Sequence, residues 1–261
     1  MSKEHDMIKS NYITYLSNAG VMIKINDKKV LVDAFCNYDV PIYKSTPVDI
    51  LDQLINGIEP FKNIDLILIT HNHSDHFDSK SICRFLLKNM NTVVVSTPEV
   101  ITILRQDAYN IDADRLIELN IKAGCFEKVM IKGIEVQAIS MVHEGKEYIN
   151  IDNFAYLIEY NETSVMHLGD AAPVIQNFEQ LGLQQYRIDL LIANFPYIAI
   201  PSARQIVKEL INPRKIAVVH LPYQEFDRFD WIKAAKKSYD TVRGNFVPAL
   251  FLEDIGSTME I

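Results

Sequence analysis

The chain has 261 residues, and 26 Lys and Arg against 34 Asp and Glu leave a formal charge of −8. An apolar content of 48% excludes disorder, and three scattered cysteines (Cys36, Cys83 and Cys125) exclude a disulfide scaffold. The acidic balance weighs against nucleic-acid binding, no apolar run approaches the roughly 20 residues of a membrane span, and the N-terminus has no apolar signal core. These features predict one cytoplasmic domain over residues 1–261 with reduced thiols and no membrane partner.

The pattern opens with three short strands, at 12–16, 20–25 and 29–33, with Asn26-Asp27 as a turn. Ile50, Leu51, Leu54 and Ile55 then share one helical face over 49–55. Strand and helix alternate from there. Strands are predicted at 64–70 and 92–96, with helices at 79–88, capped by Ser79, and at 98–106, with Pro98 in the first turn. Strands follow at 115–119, 128–131, 135–140, 154–159, 165–168 and 189–193, then a helix at 202–210 and a strand at 215–219. This order predicts an α/β fold of sheets with helices outside them.

The most informative segment is His71-Asn72-His73-Ser74-Asp75-His76, at the end of the apolar strand over 64–70. A pattern H-x-H-x-D-H arises by chance in roughly one such chain in three thousand. A helix would spread residues 71, 73, 75 and 76 around its circumference, whereas a turn after a strand can fold them onto one point. Imidazole and carboxylate donors together suit zinc, iron or manganese. Three later segments also place a ligand type just beyond a strand: His143 in MVHEG, Asp170 in HLGD and His220 in VVHLP.

In that order, these motifs resemble the metallo-β-lactamase-fold hydrolases over nearly the whole chain. The stretch from Ile13 to Phe35, ITYLSNAGVMIKINDKKVLVDAF, is also similar to the family's start. The resemblance implies a four-layer αβ/βα sandwich with two divalent metal ions, zinc first and manganese or iron as alternatives. It assigns His71, His73 and His143 to one ion and Asp75, His76 and His220 to the other, with Asp170 bridging. It further implies a metal-bridging hydroxide as nucleophile, with Asp75 as the catalytic group that orients it or manages its proton. Asp33 is the foremost candidate for fixing a ring tautomer, with Thr70 and His167 behind it. His5 is left to a disordered terminus.

The expected substrate is a small cytoplasmic ester, lactone or phosphate (di)ester, and homo-oligomerisation is left open. The alternatives are a metal-dependent nuclease or phosphodiesterase, which the charge disfavours, and a non-catalytic metal-binding protein, which the intact ligand set disfavours. Within the family the chain resembles the ascorbate-6-phosphate-lactonase branch, through YLSNAG, HLGD and His220-Leu-Pro-Tyr. Many relatives carry His where this chain has Asn18, so that particular lactone is not predicted. Asn18, Tyr197 and Tyr223 are the expected substrate contacts, with Asn194, Lys146 and Glu225 as further candidates. The aromatic stretch from Tyr223 to Trp231 is read as a loop and helix packing its own rings.

Overall fold

The computed structural model describes residues 11–36 and 42–261. Two seven-stranded mixed sheets face each other. The first is ordered β14-β1-β2-β3-β4-β5-β6, from β1 (Tyr12–Tyr15), β2 (Val21–Ile25), β3 (Lys28–Val32), β4 (Leu66–Leu68), β5 (Val93–Ser96), β6 (Leu116–Glu118) and β14 (Thr258–Glu260). The second is ordered β13-β12-β11-β10-β9-β8-β7, from β7 (Phe126–Ile131), β8 (Ile134–Val142), β9 (Asp152–Tyr160), β10 (Thr163–His167), β11 (Leu190–Asn194), β12 (Ile216–Val219) and β13 (Ala249–Phe251).

Alternation along the strands builds three apolar layers. Ile13, Tyr15, Ile23, Val30, Val32 and Leu68 meet Val136, Ala138, Tyr156, Val165, Ile192 and Val219 between the sheets. The opposite residues of the first sheet, among them Met22, Leu31, Ile67 and Val94, pack under α1 (Val48–Asn56), α2 (Ser79–Lys88) and α3 (Pro98–Asp107). Those of the second, among them Leu157, Met166, Leu191 and Val218, pack under α4 (Pro196–Ala199) and α5 (Pro201–Ile206). The layers thus run helix, sheet, sheet, helix. Because both faces of each central strand are covered, strands such as IAVV and LLIAN read as nearly continuous apolar runs.

Two local expectations change, and three elements lie outside those predicted. The cap of α2 is Asp78, whose carboxylate accepts the Ser81 N–H at 3.2 Å, while Ser79 is already helical. The helix expected over 202–210 is α5 followed by a π-helical turn, Val207–Ile211, which stops at left-handed Asn212. The edge strands β13 and β14 are three residues each, too short to carry a periodic signal, and the helix α6 (Trp231–Asp240), whose Ile232, Ala235 and Tyr239 share an apolar face, lies beyond the elements read from the sequence.

The parallel pairings β3–β4–β5–β6 and β10–β11–β12–β13 send their C-terminal ends to one edge. Two antiparallel steps through β9 bring the end of β8 to that same edge. Cross-sheet hydrogen bonds tie it together: Phe154 N–H to Thr70 O at 2.9 Å, His220 N–H to Asn18 O at 2.9 Å, and Tyr156 OH to Ile69 O at 2.8 Å. Loops leaving strand ends there can converge without strand backbone in the way.

Candidate metal centre

All seven expected ligand residues meet at this edge, in two groups whose donor atoms lie within 4.8 Å of one another. One group is His71, His73, His143 and Asp170, and the other is Asp75, His76 and His220. The His71–His76 segment is a tight turn, closed by His76 N–H and Phe77 N–H donating to His73 O at 3.0 and 2.9 Å. His143 follows β8, Asp170 follows β10, and His220 follows β12 with a left-handed φ of 57°.

The ring protons are pinned on the far side of the cluster. Asp33 is fully buried and accepts from Thr70 N–H (2.9 Å), Thr70 Oγ1–H (2.7 Å) and His76 Nδ1 (2.8 Å). Having donated to Asp33, the Thr70 hydroxyl can only accept from His71 Nδ1, at 2.9 Å. His143 Nδ1 donates to Glu144 O at 2.5 Å. The Nε2 lone pairs of His71, His76 and His143 therefore all point inward, which is the purpose such outer hydrogen bonds serve around a metal.

Inside, donors crowd against donors. His71 Nε2 lies 3.1 Å from His73 Nδ1 and 3.3 Å from His143 Nε2. The buried Nε2 atoms of His76 and His220 make no hydrogen bond. Asp170 sits between the groups, its oxygens 3.3 Å from His76 Nε2, 3.4 Å from His220 Nε2, 3.7 Å from His143 Nε2 and 3.9 Å from His71 Nε2. Buried lone pairs aimed at one another are costly unless a cation lies among them, so this donor set fits divalent metal.

Without metal, protons carry part of that charge. Burial opposes the charged form of His76 and His220, but the carboxylates of Asp170 and Asp75 outweigh it. His76 is raised well above the ordinary imidazole value and His220 to about 9. Burial likewise opposes ionisation of Asp75 and Asp170, yet these two imidazoles hold Asp75 down to about 2 and Asp170 well below the usual range. His71, His73 and His143 are lowered, by burial first and then by neighbouring imidazoles, chiefly His76 for His71, His143 for His73, and His76 with His220 for His143, while Asp170 pulls the other way.

The remaining candidates fall in different places. His167 is buried behind Asp170, with Nε2 donating to Ala19 O at 2.9 Å and Nδ1 accepting the Gly169 N–H at 3.0 Å, so it supports the Asp170 turn through backbone. Asn18 is not a wall residue: it is fully buried and donates to Asp75 Oδ2 at 3.0 Å. Tyr197 is a core residue whose hydroxyl donates to Ala171 O at 2.9 Å. Tyr223 faces Lys44 and Phe226, outside the cleft lining. Asn194 does line the cleft and donates to Asp170 Oδ1 at 2.8 Å, whereas Lys146 and Glu225 do not line it. His5 lies outside the described residues.

The cleft over the cluster has a volume of about 610 Å³. Its walls include residues that the sequence did not single out. Tyr148 packs its ring 4.6 Å from that of His73, and Tyr43 lies 4.3 Å from that of His220. Glu144, Glu147, Phe195 and Trp231 also line the cleft. They come from loops and helix starts, where no periodicity marks a residue as inward-facing.

Gly169 sets the direction of Asp170. Its φ is +55°, and a Cβ there would stand 2.6 Å from Asn153 Oδ1 and 2.8 Å from Thr70 Cβ. Gly169→Ala should destabilise the fold by about 2 kcal/mol or more and weaken metal retention. Thermal melting and metal content after dialysis check this, and an unshifted melt would refute it.

A family model described as a β-lactamase superfamily domain matches residues 12–219. A UPF0173 metal-dependent hydrolase of Sulfolobus acidocaldarius is 26% identical over 226 residues, which is 85% of this chain and 86% of that protein. Among solved structures, a metallo hydrolase from Ignicoccus hospitalis has a TM-score of 0.66 at 14% identity, covering 97% of this chain and 98% of that one. A possible metal-dependent hydrolase from Veillonella parvula has a TM-score of 0.67 at 16% identity, covering 97% of this chain and 100% of that one. The paired sheets, the ligands gathered at their common edge and a family match over most of the length agree: the chain belongs to the metallo-β-lactamase superfamily.

Proposed function

We propose that the protein is a binuclear metal-dependent hydrolase, acting in the cytoplasm on a small uncharged ester or lactone. The observation that carries this reading is the placement of Asp170, with its oxygens within 3.3–3.9 Å of Nε2 on four histidines from both groups. His71, His73 and His143 would hold one ion, Asp75, His76 and His220 the other, and Asp170 would be shared. Two divalent ions there, zinc first and manganese or iron as substitutes, supply Lewis acidity and an activated water at neutral pH.

The chain's own residues supply orientation. Asn194 and Asn18 each donate to one oxygen of Asp170 and Asp75, which fixes how those carboxylates present themselves. Asp75 lines the cleft and is held ionised, so it can orient the attacking water or take its proton.

Charge favours an uncharged substrate over a phosphate (di)ester. The cleft is lined by four carboxylates, Asp75, Glu144, Glu147 and Asp170, and by no Lys or Arg among the described residues. Lys44 turns away, toward Leu221 O and the Tyr223 ring. Two of those carboxylates exceed the ligand set and offset the charge of bound metal. A substrate phosphate, whether on a nucleic acid or on the phosphorylated lactone that names the suggested branch, would find no Lys or Arg there among the described residues.

The test is an initial-rate comparison on zinc- or manganese-loaded protein, setting a simple lactone beside a phosphodiester reporter, with Asp75→Ala as control. Lactone turnover should dominate and fall by about a hundredfold or more in the variant. Phosphodiester turnover that vanishes in the variant would overturn the carbonyl assignment. Lactone turnover equal in both proteins would overturn the site.

A further inference from the structure

One wall of the cleft is a row of aromatic rings. Trp231 stacks on Phe195 with centroids 5.9 Å apart and planes 23° apart, and on Phe229 with centroids 5.3 Å apart and planes 25° apart. Phe195 and Trp231 face the cleft, and Phe229 extends the row outward, 73% exposed. The backbone beneath is fixed: Asp227 accepts the N–H groups of Trp231 and Ile232 at 2.8 and 3.0 Å, which anchors the start of α6. Phe195 follows Asn194, whose amide holds Asp170, so the row begins one residue from the cluster.

Phe195 also packs against the helix-side core, but Phe229 does not, and Trp231 is only half-buried. Leaving a Phe largely in water forgoes its burial energy, and contiguous exposed apolar surface marks binding sites more often than not. Aromatic faces also gain from a flat π partner beyond the area they cover. We propose that Phe195, Trp231 and Phe229 form a stacking platform that binds a flat aryl or conjugated portion of the substrate beside the candidate metal centre. This rests on the hydrolase reading for the word substrate, but the platform is a binding site in its own right.

The sequence contains a single tryptophan, so emission from Trp231 reports on the platform directly. Metal-loaded protein is titrated with phenylacetamide and with cyclohexylacetamide, which are matched in amide and size and differ in flatness. The phenyl compound should change the emission and bind about two- to tenfold tighter. That preference should shrink toward unity in Phe195→Leu and, independently, in Phe229→Ala, whose exposed site removes nothing from the core. It should persist in Ile175→Ala, an exposed site away from the cleft. Equal binding of the two amides, no emission change with either, or a preference untouched by both platform variants would overturn the proposal. If neither lactone nor phosphodiester is turned over while the phenyl preference stands, the ester-or-lactone reading falls and the platform survives.

Discussion

Replacing Asp33 with alanine should cost about 3–5 kcal/mol of stability, and the melting temperature should drop by roughly 10 °C. The side chain is fully buried and takes three donors: Thr70 N–H, Thr70 Oγ1–H and His76 Nδ1. Alanine leaves all three without a partner in a place water does not reach. It must also adopt φ +48°, which Asp tolerates better than Ala. Two consequences reach the site. The Thr70 hydroxyl loses the acceptor that fixed its direction, so His71 loses its defined tautomer, and His76 becomes free to rotate. Asp33→Asn separates packing from charge. It keeps the shape but must aim its NH2 at donors, so it should recover less than half of the loss. Chemical denaturation of both variants measures this, and losses below about 1 kcal/mol in each would remove Asp33 from its supporting role.

Asp33 also shows how far the sequence could be read. A carboxylate ending KKVLV is an ordinary turn residue unless something buried needs it, and only the apolar run before it suggested burial. The His71–His76 cluster was legible because its members are neighbours in sequence and their spacing rules out a helix. His143, Asp170 and His220 could be picked out because each follows a strand end, and their order along the chain matches a known family. The walls had no such signal. Tyr43 and Tyr148 reach the cluster from loops, and Glu144 and Glu147 look like surface charges in HEGKE.

The reading of Asn18 changed for a geometric reason. Asn18 sits in a loop at the correct edge, but its amide points at Asp75 rather than into the cleft. It therefore positions a carboxylate, a task that does not require a titrating group. The rings between Tyr223 and Trp231 were expected to pack on each other. They do, Tyr223 on Phe226 and Phe229 on Trp231, and Trp231 stacks in addition on Phe195 in the cleft wall, a partner nearly forty residues earlier in the chain. Sequence distance hid that contact.

Metal binding should depend steeply on pH, and differently for the two groups. His71, His73 and His143 are shifted downward, so they are neutral near pH 7 and can take an ion without releasing protons. His220, raised to about 9, and His76, raised well above the ordinary value, must each lose a proton to the solvent. The first ion should therefore bind with weak pH dependence. Affinity for the second should climb by up to about tenfold per pH unit for each proton displaced, less whatever the first ion's own charge has already expelled. Stability follows the same linkage. The folded pKa of His220 lies above the ordinary 6.5, so in metal-free protein its contribution, about 3 kcal/mol, is complete below pH 6.5 and lost as pH rises through about 9. Asp75 works in the opposite sense, its contribution present above the ordinary 3.8 and lost as pH falls through about 2. Loaded protein has metal in place of the imidazole protons, so it should keep its stability over the alkaline window. The melting-temperature gap between zinc-loaded and chelated protein should then widen from pH 6.5 to 9, and calorimetry in buffers of different ionisation enthalpy should show proton release on the second ion alone. A gap that narrows with pH, or a second ion bound without proton release, would place the imidazolium charge elsewhere.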